Sequence, residues 1–279
     1  MTDTADENPS LVALEIRLLL EGVFQRYGLD FRDYAYASIR RRILGRLAPE
    51  GVTSVSCLQD KVLHDREAME RLLAALTVHV TSMFRDPGFY LAFREKVVPL
   101  LRTYPFVRIW HSGCSTGEEV YSMAILLHEE GLYERCRIYA TDVSEAVLGR
   151  AKSGVFPIAQ MKEYTENYQK AGGTRSFSEY YSAQQDHVLF RSWLHENVVF
   201  AQHNLVTDAS FNEFNAVLCR NVMIYFNKSL QERVHHLLYG SVERFGVLAL
   251  GRKETLRYTP HESCYEDLEE PERLYRKVQ

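Results

Sequence analysis

Two glycines and two glutamates cluster where an apolar run gives way to a helical one. The stretch Val107-Arg-Ile-Trp-His-Ser-Gly-Cys-Ser-Thr-Gly-Glu-Glu-Val-Tyr121 reads as a strand, a turn holding Gly113 and Gly117, and a helix that opens on Glu118 and Glu119. In an open α/β sheet, ligands bind at the carboxyl ends of strands, and glycines there let the backbone approach a cofactor closely. The dinucleotide fingerprint GxGxxG is absent because Ser115 interrupts it, and the phosphate-binding GxxxxGK[ST] is absent too. Two carboxylates at a helix start disfavour a pyrophosphate and suit a ligand with positive charge. S-adenosylmethionine carries a sulfonium and an ammonium and has no phosphate. The next strand ends in another acid, Tyr139-Ala-Thr-Asp142, at a place that commonly holds ribose hydroxyls. The two signals point to a nucleoside cofactor without phosphates. Glu118 and Glu119 would equally serve to stabilise the helix through its dipole, and on this loop alone the two readings balance.

The elements around the loop follow from periodicity. Residues 11–80 read as helical. Leu11 to Phe24 is apolar with few breakers, and Ser10 is a candidate N-cap. Ile39, Ile43 and Leu47 recur every four residues within Tyr34–Leu47, and a third helical pattern covers Asp65–Val78. After Pro105 short apolar runs alternate with helical patterns. Val107–Trp110, Ile138–Ala140, Val198–Ala201, Ala216–Cys219 and Val247–Leu250 read as strands, with helices over Glu118–Glu129 and Lys228–Tyr239. That alternation predicts an α/β fold with a mainly parallel sheet covered on both faces. Between Gly154 and Asn197 the pattern loosens, and residues 172–196 suggest a small antiparallel β insert. The expected domains are 1–80, helical, and 81–279, carrying the sheet and the insert.

The chain has 279 residues, 46% hydrophobic and 25% charged, with a net charge of −4. This is an ordinary globular balance. It excludes disorder and small disulfide scaffolds, and the negative total argues against a wholly basic nucleic-acid binder. The opening MTDTADENPS is acidic and polar, unlike a secretory signal. No apolar run approaches the roughly 18–20 residues a membrane span needs. A cytoplasmic protein without membrane insertion is expected. Five scattered cysteines with no CxxC pair suggest reduced thiols, mostly buried, and no metal site.

Five strings carry a resemblance: TSMFRDPGFY (81–90), WHSGCSTGEEVYSMA (110–124), ATDVS (140–144), HNL (203–205) and CRNVMIYFNK (219–228). In sequence and order they resemble the signature blocks of CheR-type chemoreceptor protein-glutamate O-methyltransferases, and the likeness covers nearly the whole chain. It implies a Rossmann-like S-adenosylmethionine-dependent methyltransferase sheet behind a small all-α N-terminal domain. The implied reaction moves a methyl group from S-adenosylmethionine to a glutamate γ-carboxylate on a chemoreceptor, leaving S-adenosylhomocysteine. A carboxylate is already ionised at neutral pH, so no general base is required, and the enzyme mainly needs to position the acceptor.

By the same resemblance Arg85 and Tyr225 are the catalytic residues, an arginine fork and a single hydroxyl donor. Taken singly, Arg85 would pair with an acid such as Asp86, and Tyr225 would pack as an aromatic. The implied cofactor residues are His79, Thr81, Arg85, Gly113, Glu119, Asp142, Asn204, Leu205, Arg220 and Asn221. His79 stands where the family usually has asparagine. His111 replaces a small residue, Met83 replaces a phenylalanine, and Gly251-Arg-Lys-Glu254 stands where many relatives have Gly-His-Ser-Glu. These departures mark a divergent branch and bear on the protein substrate more than on the chemistry.

The run Ser38–Arg46 holds four arginines in nine residues. In the family the N-terminal unit faces the receptor's helical bundle, so Arg40, Arg42 and Arg46 are the implied substrate contacts, steering toward glutamate-rich helices. An unplaced charge run is more commonly a solvated helix face. The β insert could dock a receptor C-terminal peptide, and a monomer is expected. Two alternatives keep the cofactor: the same chemistry on a non-chemotaxis signalling protein, and a cofactor-binding interaction module without turnover.

Overall fold

The computed structural model describes residues 9–279; residues 1–8, which hold most of the acidic opening stretch, lie outside the described residues. The described chain forms two compact units. One comprises the residues up to Val78 together with Tyr225–Gln231, and the other comprises His79–Ile224 and Glu232–Gln279.

The first unit is helical: α1 (Pro9–Tyr27), α2 (Tyr36–Glu50), α3 (Val55–His64) and α4 (Arg66–Leu76). On α1 the buried stripe is Val12, Ile16, Leu19 and Val23, while Leu11, Leu14 and Leu18 are exposed. Ile39 and Ile43 of α2, Leu58 and Val62 of α3, and Leu72 and Leu76 of α4 complete this core. Each full burial is worth roughly 1.5–3 kcal/mol. Periodicity passes over α3, a short helix fixed by a cap: the Ser54 side chain accepts from the Cys57 N–H. Asp65 caps α4 by accepting from the Glu67 N–H. The segment from Tyr225 joins this unit by backbone pairing. The Ala35 N–H donates to the Tyr225 carbonyl at 2.8 Å, and the Asn227 N–H to the Asp33 carbonyl at 2.8 Å.

The second unit carries β1 (Val107–Ser112), β2 (Cys136–Asp142), β3 (Val155–Pro157), β4 (Tyr181–Ala183), β5 (His187–Phe190), β6 (Val198–Gln202), β7 (Phe214–Cys219), β8 (Val242–Leu250), β9 (Tyr265–Glu269) and β10 (Leu274–Lys277). Seven of these strands form one sheet in the order β6-β2-β1-β7-β8-β10-β9. The pairs β2–β6, β1–β2, β1–β7 and β7–β8 are parallel, and β8–β10 and β10–β9 are antiparallel. The order reverses at β1, so the crossovers leaving β1 and β7 diverge and open a crevice at their carboxyl ends. The helix after β1 spans Glu118–Glu129, as its pattern predicts.

Two features differ from the sequence reading. The antiparallel hairpin β9–β10 closes the sheet in a C-terminal stretch where periodicity predicts no strand. The small antiparallel sheet has the order β3-β5-β4, and its first strand, Val155–Pro157, lies before residues 172–196. Phe156, Val188 and Phe190 are buried in it. Three of the five cysteines, Cys114, Cys136 and Cys219, are buried, and all five are free thiols. Among the described residues no helix is long and apolar enough to cross a membrane.

Candidate cofactor site at the strand ends

β1 delivers the loop that the sequence singles out. Gly113 has φ of +72°, and a Cβ there would lie 2.6 Å from Val222 Cγ2. Gly117 has φ of +96°, with a Cβ position 3.0 Å from the Ala151 Cβ. Both positions therefore require glycine for conformation and for space. Trp110 points to the other face of the sheet, where its Nε1–H donates to Thr141 Oγ1 at 2.8 Å.

Glu119, in the first turn of the following helix, accepts from two buried side chains. His111 Nδ1 lies 2.9 Å from Glu119 Oε1, and Arg220 Nη1 donates to Oε2 at 2.8 Å. Arg220 also donates to Asp86 Oδ2 at 3.0 Å and to the Arg85 carbonyl at 3.4 Å, and its guanidinium lies 3.9 Å from the Phe89 ring centre. Burial alone would raise the Glu119 pKa, but the His111 hydrogen bond and the Arg220 charge outweigh it and hold the carboxyl at about 2. Glu119 and Asp86 share one guanidinium. Glu118, beside them, is buried with Thr116 Oγ1 donating to it at 2.6 Å, and burial raises its pKa.

Asp142 ends β2. Its Oδ2 accepts from the Ser115 N–H at 2.9 Å and its Oδ1 from the Ser144 N–H at 3.1 Å. Burial pushes its pKa up against those hydrogen bonds. With the Val143 N–H as a third donor, the carboxylate keeps acceptor capacity that a hydroxyl can use. His79 Nδ1 lies 3.4 Å from Ser115 Oγ, and burial lowers the His79 pKa although the Asp142 charge opposes that shift. The His203 N–H donates to the Asp142 carbonyl at 3.2 Å, which brings the loop with Asn204 and Leu205 to the same strand end. Asn204 Oδ1 accepts from the Val206 N–H at 3.0 Å, so this side chain also shapes its own turn.

The segment with Thr81 and Arg85 is tied to the helix after β1. The Phe84 N–H donates to Ser122 Oγ at 2.9 Å, and Ser122 donates to the Glu118 carbonyl at 2.7 Å. Phe84 and Asp86 have φ of 51° and 56°, a strained backbone of the kind found at functional sites. Arg85 Nη1 donates to the Val80 carbonyl at 3.1 Å. No carboxylate pairs with Arg85 among the described residues, and Asp86 turns to Arg220 and Arg252 instead. Thr81 is half-buried and makes no side-chain hydrogen bond among the described residues.

Asn221, after β7, has φ of 62°. The Glu254 carboxylate holds that loop. It accepts from the N–H groups of Asn221 (2.8 Å), Val222 (2.8 Å), Met223 (2.7 Å) and Gly251 (2.6 Å). Burial raises the Glu254 pKa despite these donors. The sequence reading assigns no role to Glu254 or His111. The available signals are a glutamate just past a glycine at a strand end, and a histidine within an apolar strand.

Within the sheet-bearing unit, His79, Thr81, Arg85, Gly113, Glu119, Asp142, Asn204, Leu205, Arg220 and Asn221 thus lie at or beside the carboxyl ends of β1, β2, β6 and β7. Buried carboxylates, a required glycine and an acid with remaining acceptor capacity fit a cationic nucleoside, and among the described residues the donor set offers no phosphate cradle. Tyr225, Arg40, Arg42 and Arg46 belong to the helical unit. There the Arg42 guanidinium lies 5.0 Å from the Tyr225 ring centre and donates to the Leu76 carbonyl. Arg46 donates to the buried Glu50. Among the described residues no group of three or more histidine, cysteine, aspartate or glutamate side chains is arranged to hold a metal ion.

Comparison with known proteins agrees with this geometry. Residues 79–270 match the CheR methyltransferase SAM-binding domain, and residues 14–77 match the CheR methyltransferase all-alpha domain. A Pseudomonas putida protein carrying the name Cher3 is 51% identical over 264 residues, covering 95% of this chain and 97% of that one. Chemotaxis protein methyltransferases of Listeria monocytogenes (28% identical, 82% of this chain and 85% of that one) and Escherichia coli (25% identical, 90% and 88%) are also similar. The chain therefore belongs to the CheR methyltransferase family, and its sheet-bearing unit is an S-adenosylmethionine-binding domain.

Proposed function

We propose that the protein methylates glutamate γ-carboxylates on the cytoplasmic helical bundle of a chemoreceptor, giving a methyl ester and S-adenosylhomocysteine. The observation that carries this reading is Arg85: a guanidinium beside the strand-end site that no carboxylate of the described chain neutralises. A carboxylate acceptor supplies the missing partner. When bound, S-adenosylmethionine supplies an electrophilic methyl group on a sulfonium.

The protein's own residues then bind and orient. Asp142 offers lone pairs to hydroxyls, and Glu119 faces the cationic end of the cofactor. His79, Thr81, Asn204, Leu205, Arg220 and Asn221 line or shape the same strand ends. Arg85 fixes the acceptor carboxylate, and the Tyr225 hydroxyl donates one hydrogen bond at the reacting centre. Because the acceptor is anionic at neutral pH, the absence of a His or Cys nucleophile constellation fits the chemistry. Holding the acceptor in line supplies several kcal/mol of the barrier reduction.

Receptor recognition falls to the helical unit. Arg40 makes no hydrogen bond or ion pair among the described residues, so it is the arginine most available to a glutamate-rich helix. Arg42 and Arg46 have partners within their own unit, so replacing them costs stability as well as binding. The three-stranded sheet is the candidate dock for a receptor C-terminal peptide. The protein works as a cytoplasmic monomer.

The test is incubation with methyl-labelled S-adenosylmethionine and cytoplasmic receptor fragments. Label released as methanol by mild base supports a glutamate methyl ester. Binding of S-adenosylhomocysteine with no transfer to any receptor fragment would contradict the reading and favour a module without turnover.

A further inference from the structure

His111 is the penultimate residue of β1, opposite Ala140 of β2 and Leu218 of β7, and is fully buried. A polar ring in such a place is costly unless it is hydrogen-bonded. Its only described partner is Glu119, 2.9 Å from Nδ1, and its buried Nε2 has none. With the Glu119 pKa held at about 2 the carboxylate is ionised, and an ionised carboxylate only accepts. Nδ1 therefore carries the proton and donates. Arg220 anchors the other oxygen, Oε2. With both oxygens anchored, the carboxylate plane of Glu119 is fixed. Without His111 it is held at one corner and free to turn about its terminal torsion, which is broad in carboxylates.

We infer that His111 is a positioning residue, which through its Nδ1–H orients Glu119 toward the cationic end of the cofactor. The pattern that the blocks of this chain resemble usually has a small residue at this place, so the second anchor is a feature of this chain. The inference rests on the reading of Glu119 as a cofactor contact.

The experiment is calorimetric titration of S-adenosylhomocysteine into the full chain and four variants, each with its melting temperature measured. Glu119→Gln tests the cofactor reading. His111→Leu removes the donor. His111→Asn keeps an amide nitrogen near the Nδ1 position, whereas His111→Gln moves the donor one bond further out. Loss of a charge-assisted hydrogen bond predicts an affinity fall of about tenfold or more in Glu119→Gln and His111→Leu. His111→Asn restores affinity close to wild type, and His111→Gln does not. A role confined to packing would shift melting temperature without following the donor.

Wild-type affinity in His111→Leu beside weakened Glu119→Gln overturns the His111 role and leaves the cofactor reading standing. Wild-type affinity in Glu119→Gln overturns both. Should His111→Leu fail to fold, equal affinities in His111→Asn and His111→Gln overturn the inference.

Discussion

Glu50, a buried carboxylate, and Glu119, a half-buried one, are each gripped by partners from separate elements, and they serve opposite ends. Glu50 closes α2 and receives Arg46 of α2, Lys61 of α3 at 2.9 Å and Arg71 of α4 at 2.8 Å. Three cations meet one anion, so the cluster is saturated and binds three helices together. Hydrogen bonds from Arg71 and Lys61 lead in holding its pKa well below the ordinary carboxylate range. Glu119 shares its one arginine with Asp86 and sits in the first turn of the helix that follows the central strand β1. A buried ion pair is by itself weak evidence for function. What separates the two is place. The helical cluster, where Arg71 also nears Asp65 and Glu67, ties three helices together, while the strand-end cluster gathers Glu119, Asp86 and Arg220 at a topological switch point.

The contrast is sharpest at Arg85. Arg85→Ala should cut methyl transfer by about 100-fold or more, measured as initial rate on a receptor fragment, with the fold intact. Arg85→Lys should recover little, because a point charge does not replace a planar fork. Glu50→Ala should do the reverse. It lowers stability by about 2–3 kcal/mol, read by denaturant titration, since Lys61 and Arg71 stay partly in water, and it leaves S-adenosylhomocysteine affinity where it was. A large affinity loss there would erase the distinction between the clusters.

Glu254→Gln should cost about 1–2 kcal/mol and also weaken S-adenosylhomocysteine binding, because one of the two oxygens that hold the loop with Asn221 becomes an NH2 group facing backbone N–H donors. A stability loss with unchanged affinity would place Glu254 with Glu50. The smallest effect is on pH dependence. The folded pKa of Glu50 is depressed below 4.5, so its stabilisation is present above that value and is lost as pH falls toward the folded value. The stability gap between wild type and Glu50→Ala should narrow on acidification below pH 4.5. Glu254, with a raised pKa, has the opposite sign: its contribution falls as pH rises through the window above 4.5.

Much of the sheet was legible because β1, β2 and β7 each carry a short apolar run, with Gly113 following β1 and Asp142 ending β2. The same signal failed at β9, whose Tyr-Glu-Asp-Leu-Glu carries little apolar content and is a sheet-edge strand. It failed at α3, which is defined by the Ser54 cap and three buried side chains, Val55, Leu58 and Val62. The site's backbone-shaping residues were named from whole strings, yet the pairings that give them meaning are remote. Glu254 meets Asn221 across 33 positions, and Asn227 meets Asp33 across 194. Local pattern contains neither, and for the same reason nothing in the order of residues signals that Tyr225–Gln231 joins the helical unit.

On this reading the methyl acceptor is an anionic side-chain oxygen. The most direct measurement compares label transfer to a receptor fragment bearing its native glutamates with transfer to the same fragment carrying glutamine at those positions. An anionic acceptor gives base-labile label on the first and none on the second. Equal labelling of the two, or label that survives base, would contradict it.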